Sequence, residues 1–171
     1  MAAIKRILSD IRTGYMALLA IASSALVLAG ALAFQYIGGL YPCVLCMYQR
    51  WAYVVAAGFA LLAWILRKNP ILARLTLGAS SLSFIGGAGI AAFHVGVENH
   101  WWEGTSECQG DALDFSLSAD DLANQLLNQP IVRCDVAPWD LFGISMAGYN
   151  VAISLALASV CLWALRQKKH H

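Results

Sequence analysis

Charge is what this chain of 171 residues has least of. Asp, Glu, Lys and Arg together make up 12% of it, against 60% hydrophobic residues, which excludes an ordinary soluble domain and leaves a polytopic membrane protein. Acidic residues are nearly missing outside one segment: nine of the ten, all but Asp10, lie from Glu98 to Asp140. There is no internal repeat, no low-complexity tract and no second C-x-x-C beside the one at Cys43 and Cys46. That last absence counts against a zinc site, which would need two more ligands near the first pair.

What is present in quantity is apolar sequence. A bilayer core takes roughly 20 residues of helix, and four runs reach that length, at about 14–37, 46–66, 75–97 and 141–165. The second contains Arg50; the charge-free part from Trp51 to Leu66 falls short of a span, so the helix must reach back through the cysteines. The expected fold is an all-α membrane four-helix bundle, a single integral membrane domain over 1–171, with outer loops at about 38–45 and 98–140.

Lys5, Arg6, Arg12, Arg67, Lys68, Arg74, Arg166, Lys168 and Lys169 all sit at the termini or between spans two and three, and only Arg50 and Arg133 lie elsewhere. The positive-inside rule then places both termini in the cytoplasm and the two remaining loops on the other side. Cys43, Cys46, Cys108 and Cys134 fall at or beyond that outer surface, which implies an oxidising compartment. Cys161, inside the fourth span, reads as a small packing residue.

Residues 1–13 mix basic side chains with Ile4, Ile7, Leu8 and Ile11, the pattern of a short interfacial helix leading into span one. The apolar run that follows is too long for a signal peptide. Gly38-Gly39 end span one, and Pro70 marks the start of span three, whose Gly, Ala and Ser residues allow close helix approach in lipid. The second outer loop opens with Trp101-Trp102, aromatic anchors for the headgroup level. Within it Ser118 caps a short amphipathic helix carrying Leu122, Leu126 and Leu127 and stopped by Pro130. His170 and His171 carry no metal assignment, being either native or a remnant.

The chemistry centres on Tyr41-Pro42-Cys43-Val44-Leu45-Cys46-Met47-Tyr48-Gln49-Arg50. If a helix starts near Pro42, Cys43, Cys46 and Arg50 share a face. A helix N-terminus and a guanidinium both favour thiolate over thiol, the setting of a reactive dithiol. Four outer cysteines permit three pairings; proximity favours Cys43 with Cys46, leaving Cys108 with Cys134. Arg50 either snorkels to the interface or stabilises an anion, a Cys46 thiolate or the oxygen of a partly reduced quinone. His94, with Glu98 one turn beyond, is a packing residue or a second site residue.

These residues carry a resemblance. Pro42-Cys43-Val44-Leu45-Cys46 followed by Arg50, the further pair Cys108 and Cys134, and Trp139-Asp140-Leu141-Phe142-Gly143-Ile144-Ser145-Met146 are similar to the DsbB family of bacterial inner-membrane disulfide-forming proteins, over nearly the whole chain. The resemblance implies a protein-dithiol:quinone oxidoreductase that regenerates a periplasmic thioredoxin-fold oxidant. It implies that Cys108 takes the partner's thiolate, that Cys134 completes the outer pair, and that electrons pass to Cys43 and Cys46. Cys46 would hand them to ubiquinone or menaquinone, with Arg50 beside the quinone and His94 as its neighbour. The partners implied are a DsbA-like protein, the quinone pool and the lipid bilayer, with no nucleic acid among them. Relatives of vitamin K epoxide reductase share the outline, but their active C-x-x-C lies near the end of the last span, where this chain has only Cys161. The alternative reading is a structural tetraspan protein whose disulfide-stapled outer loop binds a partner without chemistry; a membrane metal-binding protein comes third.

Overall fold

A computed structural model of the chain describes residues 2–109 and 132–166, with the side chains of 2–12, 107 and 109 left aside. The expected amphipathic helix between Ser118 and Pro130 lies outside the described residues. Four α-helices make up most of the rest: α1 (Ala2–Tyr36), α2 (Val44–Ile65), α3 (Pro70–Glu98) and α4 (Met146–Arg166). Each holds a stretch long and apolar enough to cross a membrane. The fold is therefore the expected helical membrane bundle.

The N-terminal segment joins α1 without a break, because no proline or glycine interrupts 2–13 and the helix simply continues. The end of α1 is set by Gly38 and Gly39. Gly38 N–H and Ile37 N–H both donate to the Ala33 carbonyl, at 3.1 and 2.9 Å. Gly39 takes the left-handed conformation at φ +67 that terminates such helices.

Cys43 is the N-cap of α2, in extended backbone, and its sulfur accepts the Cys46 N–H at 3.3 Å. The C-x-x-C spacing is thus the spacing from N-cap to the third helical residue, whose N–H would otherwise have no partner. After a 3₁₀ turn over Leu66–Lys68, Asn69 caps α3 through Leu72 N–H, and Pro70 follows as the first helical residue.

α3 packs against both α2 and α4, while α1 lies mainly on α2 and barely meets α4. Small residues make this possible. A Cβ on Gly87 would stand 2.9 Å from the Ala52 methyl, so the α2–α3 crossing needs glycine there. Ser80 and Ser81 donate their hydroxyls to the carbonyls of Ala56 on α2 and Ala158 on α4, tying the three helices where no water can serve. The core between them is alanine-rich, with Tyr53 and Phe84 edge to face at 5.7 Å and Cys161 buried among its members. Leu26 and Leu82, 75% and 68% exposed, point outward as a lipid-facing surface requires.

The fourth helix begins later than the apolar run suggests. Asp140–Leu141 and Ile144–Ser145 form a two-stranded antiparallel hairpin, Asp140 opposite Ser145 and Leu141 opposite Ile144. Its two turn residues, Phe142 and Gly143, both have positive φ, 54 and 75, the geometry that matches the twist of paired strands and cannot continue a helix. Ser145 then caps α4 by accepting Gly148 N–H. Just before the hairpin, Trp139 stacks between Phe34 of α1 and Tyr149 of α4, roofing the gap between those helices.

Candidate functional site

All four cysteines expected at the outer surface come together. Cys43, Cys108 and Cys134 are buried in one cluster with Leu45 and Val97, against which Cys46, Val44, Ile90 and Val132 pack. The Cys43 and Cys46 sulfurs lie 2.9 Å apart, Cys43 donating its S–H to Cys46. That hydrogen bond, with burial, pushes the Cys43 thiol well above the usual range.

The loop pair is built differently. Cys108 sits on a short 3₁₀ turn, its sulfur 3.3 Å from the Thr105 hydroxyl. Cys134 N–H reaches the Cys108 carbonyl at 3.4 Å. The Cys134 thiol packs in the same buried cluster as Cys43, Cys108 and Leu45. Burial first and Cys108 second push its thiol up to about 12. Cys134 therefore lies close to both pairs.

His94 comes from α3 to complete the helix pair. Its Nε2 lies 3.6 Å from the Cys43 sulfur and 3.7 Å from a Glu98 carboxylate oxygen, and its Nδ1 meets the Gln49 amide at 2.9 Å. Gln49 in turn accepts from Asn150 of α4, and Asn150 accepts from the Tyr53 hydroxyl at 2.6 Å. Glu98 accepts from Ser145. One polar network thus joins α2, α3 and α4 around the dithiol.

A cavity of about 440 Å³ opens beside this network in the gap between α1 and α4. Most of its wall is apolar, from Val27, Leu28 and Phe34 to Met146 and Ile153; Cys46, Gln49, Arg50, His94 and Asn150 are gathered in the same wall. Among the described residues Arg50 pairs with no carboxylate. It donates to the Gln35 side-chain oxygen at 2.5 Å and to the Ala31 carbonyl at 3.2 Å, which anchors α1 to α2. Arg50 and Cys46 line the cavity together, whereas Cys43, as the cap, is buried toward His94 and Cys134. The predicted common face of Cys43, Cys46 and Arg50 is therefore split between two neighbours.

Gln49, Asn150, Tyr53 and Ser145 were not identifiable as site residues from the chain alone. Their one signal was a polar side chain within an apolar run, and such a side chain needs a partner in the bundle interior.

A vicinal thiol pair, a second pair packed into the same cluster, and four apolar helices define a multi-pass membrane protein of thiol–disulfide exchange. The family model for "Disulfide bond formation protein DsbB" matches residues 12–164. The chain is 30% identical over 159 residues to the "Disulfide bond formation protein B" of Psychrobacter sp. (strain PRwf-1), covering 89% of this chain and 92% of that one. It is 29% identical over 149 residues to the protein of the same name from Herminiimonas arsenicoxydans, covering 86% and 91%. The chain belongs to the DsbB family, and it is a membrane oxidoreductase of disulfide bond formation.

Proposed function

We propose that this protein is a protein-dithiol:quinone oxidoreductase of the bacterial inner membrane, one integral domain with both termini cytoplasmic, that reoxidises a periplasmic thioredoxin-fold oxidant resembling DsbA. The observation that carries the reading is the position of Cys134, packed in one buried cluster with Cys108 and Cys43, while Cys46 opens on the apolar cavity. The distribution of basic residues supports the orientation.

The exchange balances at each step. With both pairs as disulfides, a partner thiolate attacks Cys108 and displaces Cys134; the partner's second thiolate then resolves the mixed disulfide, so the partner leaves oxidised and the loop pair is left as a dithiol. Cys134 next attacks Cys43 and releases Cys46 as thiolate. Attack of Cys108 on Cys134 releases Cys43, restores the loop disulfide and leaves both electrons on the helix pair. The two protons given up by the attacking thiols are available to His94 and Glu98, which flank Cys43 in turn.

The cavity fits a quinone, with apolar walls for the ring and tail, an opening toward lipid between α1 and α4, and Arg50 and His94 as donors for carbonyl oxygens. Such a quinone, ubiquinone or menaquinone, would supply two-electron acceptor chemistry, and Arg50, His94 and Cys46 are the residues that would hold it. The test is quinone reduction by the purified protein with a reduced thioredoxin-fold dithiol as donor, parent against Cys46→Ser. Turnover in the parent that vanishes in the variant is expected. An inactive parent with several donors and both quinones would instead favour the structural tetraspan reading.

A further inference from the structure

The dithiol form of the helix pair has a third ligand that exchange alone does not call for. The sulfurs of Cys43 and Cys46 and a ring nitrogen of His94 all lie within 4.8 Å of one another. Cys43 and His94 are 4% and 3% exposed. We propose that the reduced protein binds one soft divalent cation, Zn²⁺ or Cd²⁺, through Cys43, Cys46 and His94, and that this arrests the enzyme in its reduced state. Two thiolates and an imidazole are the donor set such ions select.

The geometry is close to what coordination needs. Zinc bound at about 2.3 Å to sulfur and 2.0–2.1 Å to nitrogen holds its sulfurs roughly 3.7 Å apart and a sulfur and nitrogen roughly 3.5 Å apart. Cys43 and His94 already meet the second spacing at 3.6 Å. The sulfurs must open from 2.9 Å, and Cys46 borders the cavity into which its sulfur can move. The fourth position then faces the cavity, beside Glu98, whose carboxylate is 3.7 Å from the same nitrogen.

The surrounding hydrogen bonds suit the ligand state of His94. Metal at Nε2 requires the proton on Nδ1 and an acceptor there. Turning the Gln49 and Asn150 amides together offers the Gln49 oxygen to Nδ1. Asn150 then accepts from Gln49 and donates to Tyr53, whose hydroxyl passes to Ser154 at 2.8 Å. Ser154, which donates to the Asn150 oxygen at 3.2 Å before the turn, accepts from the Asn150 amide after it. Charge also balances, since two thiolates and a divalent cation leave a neutral site in an apolar surrounding.

Binding displaces two thiol protons to solvent and moves no electrons. The disulfide form has neither thiolate and cannot bind, so inhibition builds up only as turnover loads the helix pair. It blocks Cys46 from passing electrons on and withdraws Cys43 from Cys134.

The test is titration of the full-length protein, reduced anaerobically and freed of reductant, with Cd²⁺, followed by the ultraviolet charge-transfer absorption of cadmium–thiolate bonds. One equivalent should bind to the reduced parent and none to the oxidised one. His94→Ala should weaken binding by roughly 100-fold and Gln49→Leu, which keeps all three ligands, by about tenfold. Cys108→Ser/Cys134→Ser should bind as the parent does. Equal binding by oxidised protein, undiminished affinity in both His94→Ala and Gln49→Leu, or loss in the loop-pair variant would overturn the assignment. Neither quinone nor partner is present, so the outcome is independent of whether the electron relay is correct.

Discussion

The two cysteine pairs use the same element and are held by opposite means. Cys43 and Cys46 sit at the start of a 22-residue helix, and their spacing is dictated by the capping bond from Cys46 N–H to the Cys43 sulfur. Cys108 and Cys134 belong to loop segments far apart in sequence, joined by one long backbone hydrogen bond and a shared apolar pocket. A pair on a helix end has its geometry prepared by local backbone, while a pair on a loop depends on closure, which costs chain entropy. The helix pair suits a fixed neighbour such as a cavity ligand; the loop pair suits a visiting protein that must be met and released.

Changes at the helix pair should therefore be the more damaging. The largest effect is expected for Cys46→Ser or Cys43→Ser, which should reduce quinone reduction to background while leaving a mixed disulfide with the partner still able to form at Cys108, seen by gel shift after trapping. Arg50→Ala comes next. It removes the bonds to Gln35 and Ala31 and should raise the KM for quinone at least about tenfold, the loss of one charged hydrogen bond, with the KM for the protein donor unchanged. An equal rise in both would erase the distinction between the two pairs.

Gln49→Leu leaves the Nδ1 side of His94 and the Asn150 amide N–H without their Gln49 partner, a cost of about 1–3 kcal/mol. Lower unfolding temperature and slower electron exit from the helix pair are expected, with exchange at Cys108 unaffected. The pH response sharpens the comparison further. Cys134 rises from an ordinary 9.0 to about 12 in the folded dithiol form, and Cys43 is raised as well. Raised thiols contribute stability that is fully present below pH 9.0 and lost as pH climbs toward 12. Reduced protein should thus lose thermal stability across that window and oxidised protein should lose less, as scanning calorimetry can measure. The smallest effect is expected at the exposed Arg133–Asp135 ion pair, where Asp135 is held below the usual carboxylate range by Arg133. Arg133→Ala should leave the unfolding midpoint unchanged, because solvent screens such pairs.

Much of this protein is legible in its chain. Four spans, the cysteines, Arg50 and His94 follow from apolar length and from residue types that are costly in an apolar setting. The hairpin at Asp140–Ser145 is harder to read, because Leu141, Phe142 and Ile144 look like the start of a span. Only the left-handed backbone at Phe142 and Gly143 stops the helix there. Gln49 and Asn150 are single amides in apolar helices and form no pattern along the chain. Their meaning lies in each other, across 101 residues.

Composition and charge placement by themselves determined that this chain is an α-helical membrane protein, since backbone polarity in lipid leaves an apolar run few options but a helix. Which cysteine touches which was decided by tertiary structure. Cys134 packs in one cluster with Cys43 and Cys108, and His94 reaches Cys43, because α3 packs close on α2 through glycine and serine. Sequence distance carries no information about such contacts; they arise where helices cross, and crossing angles and depths are set by the side chains of all the helices at once.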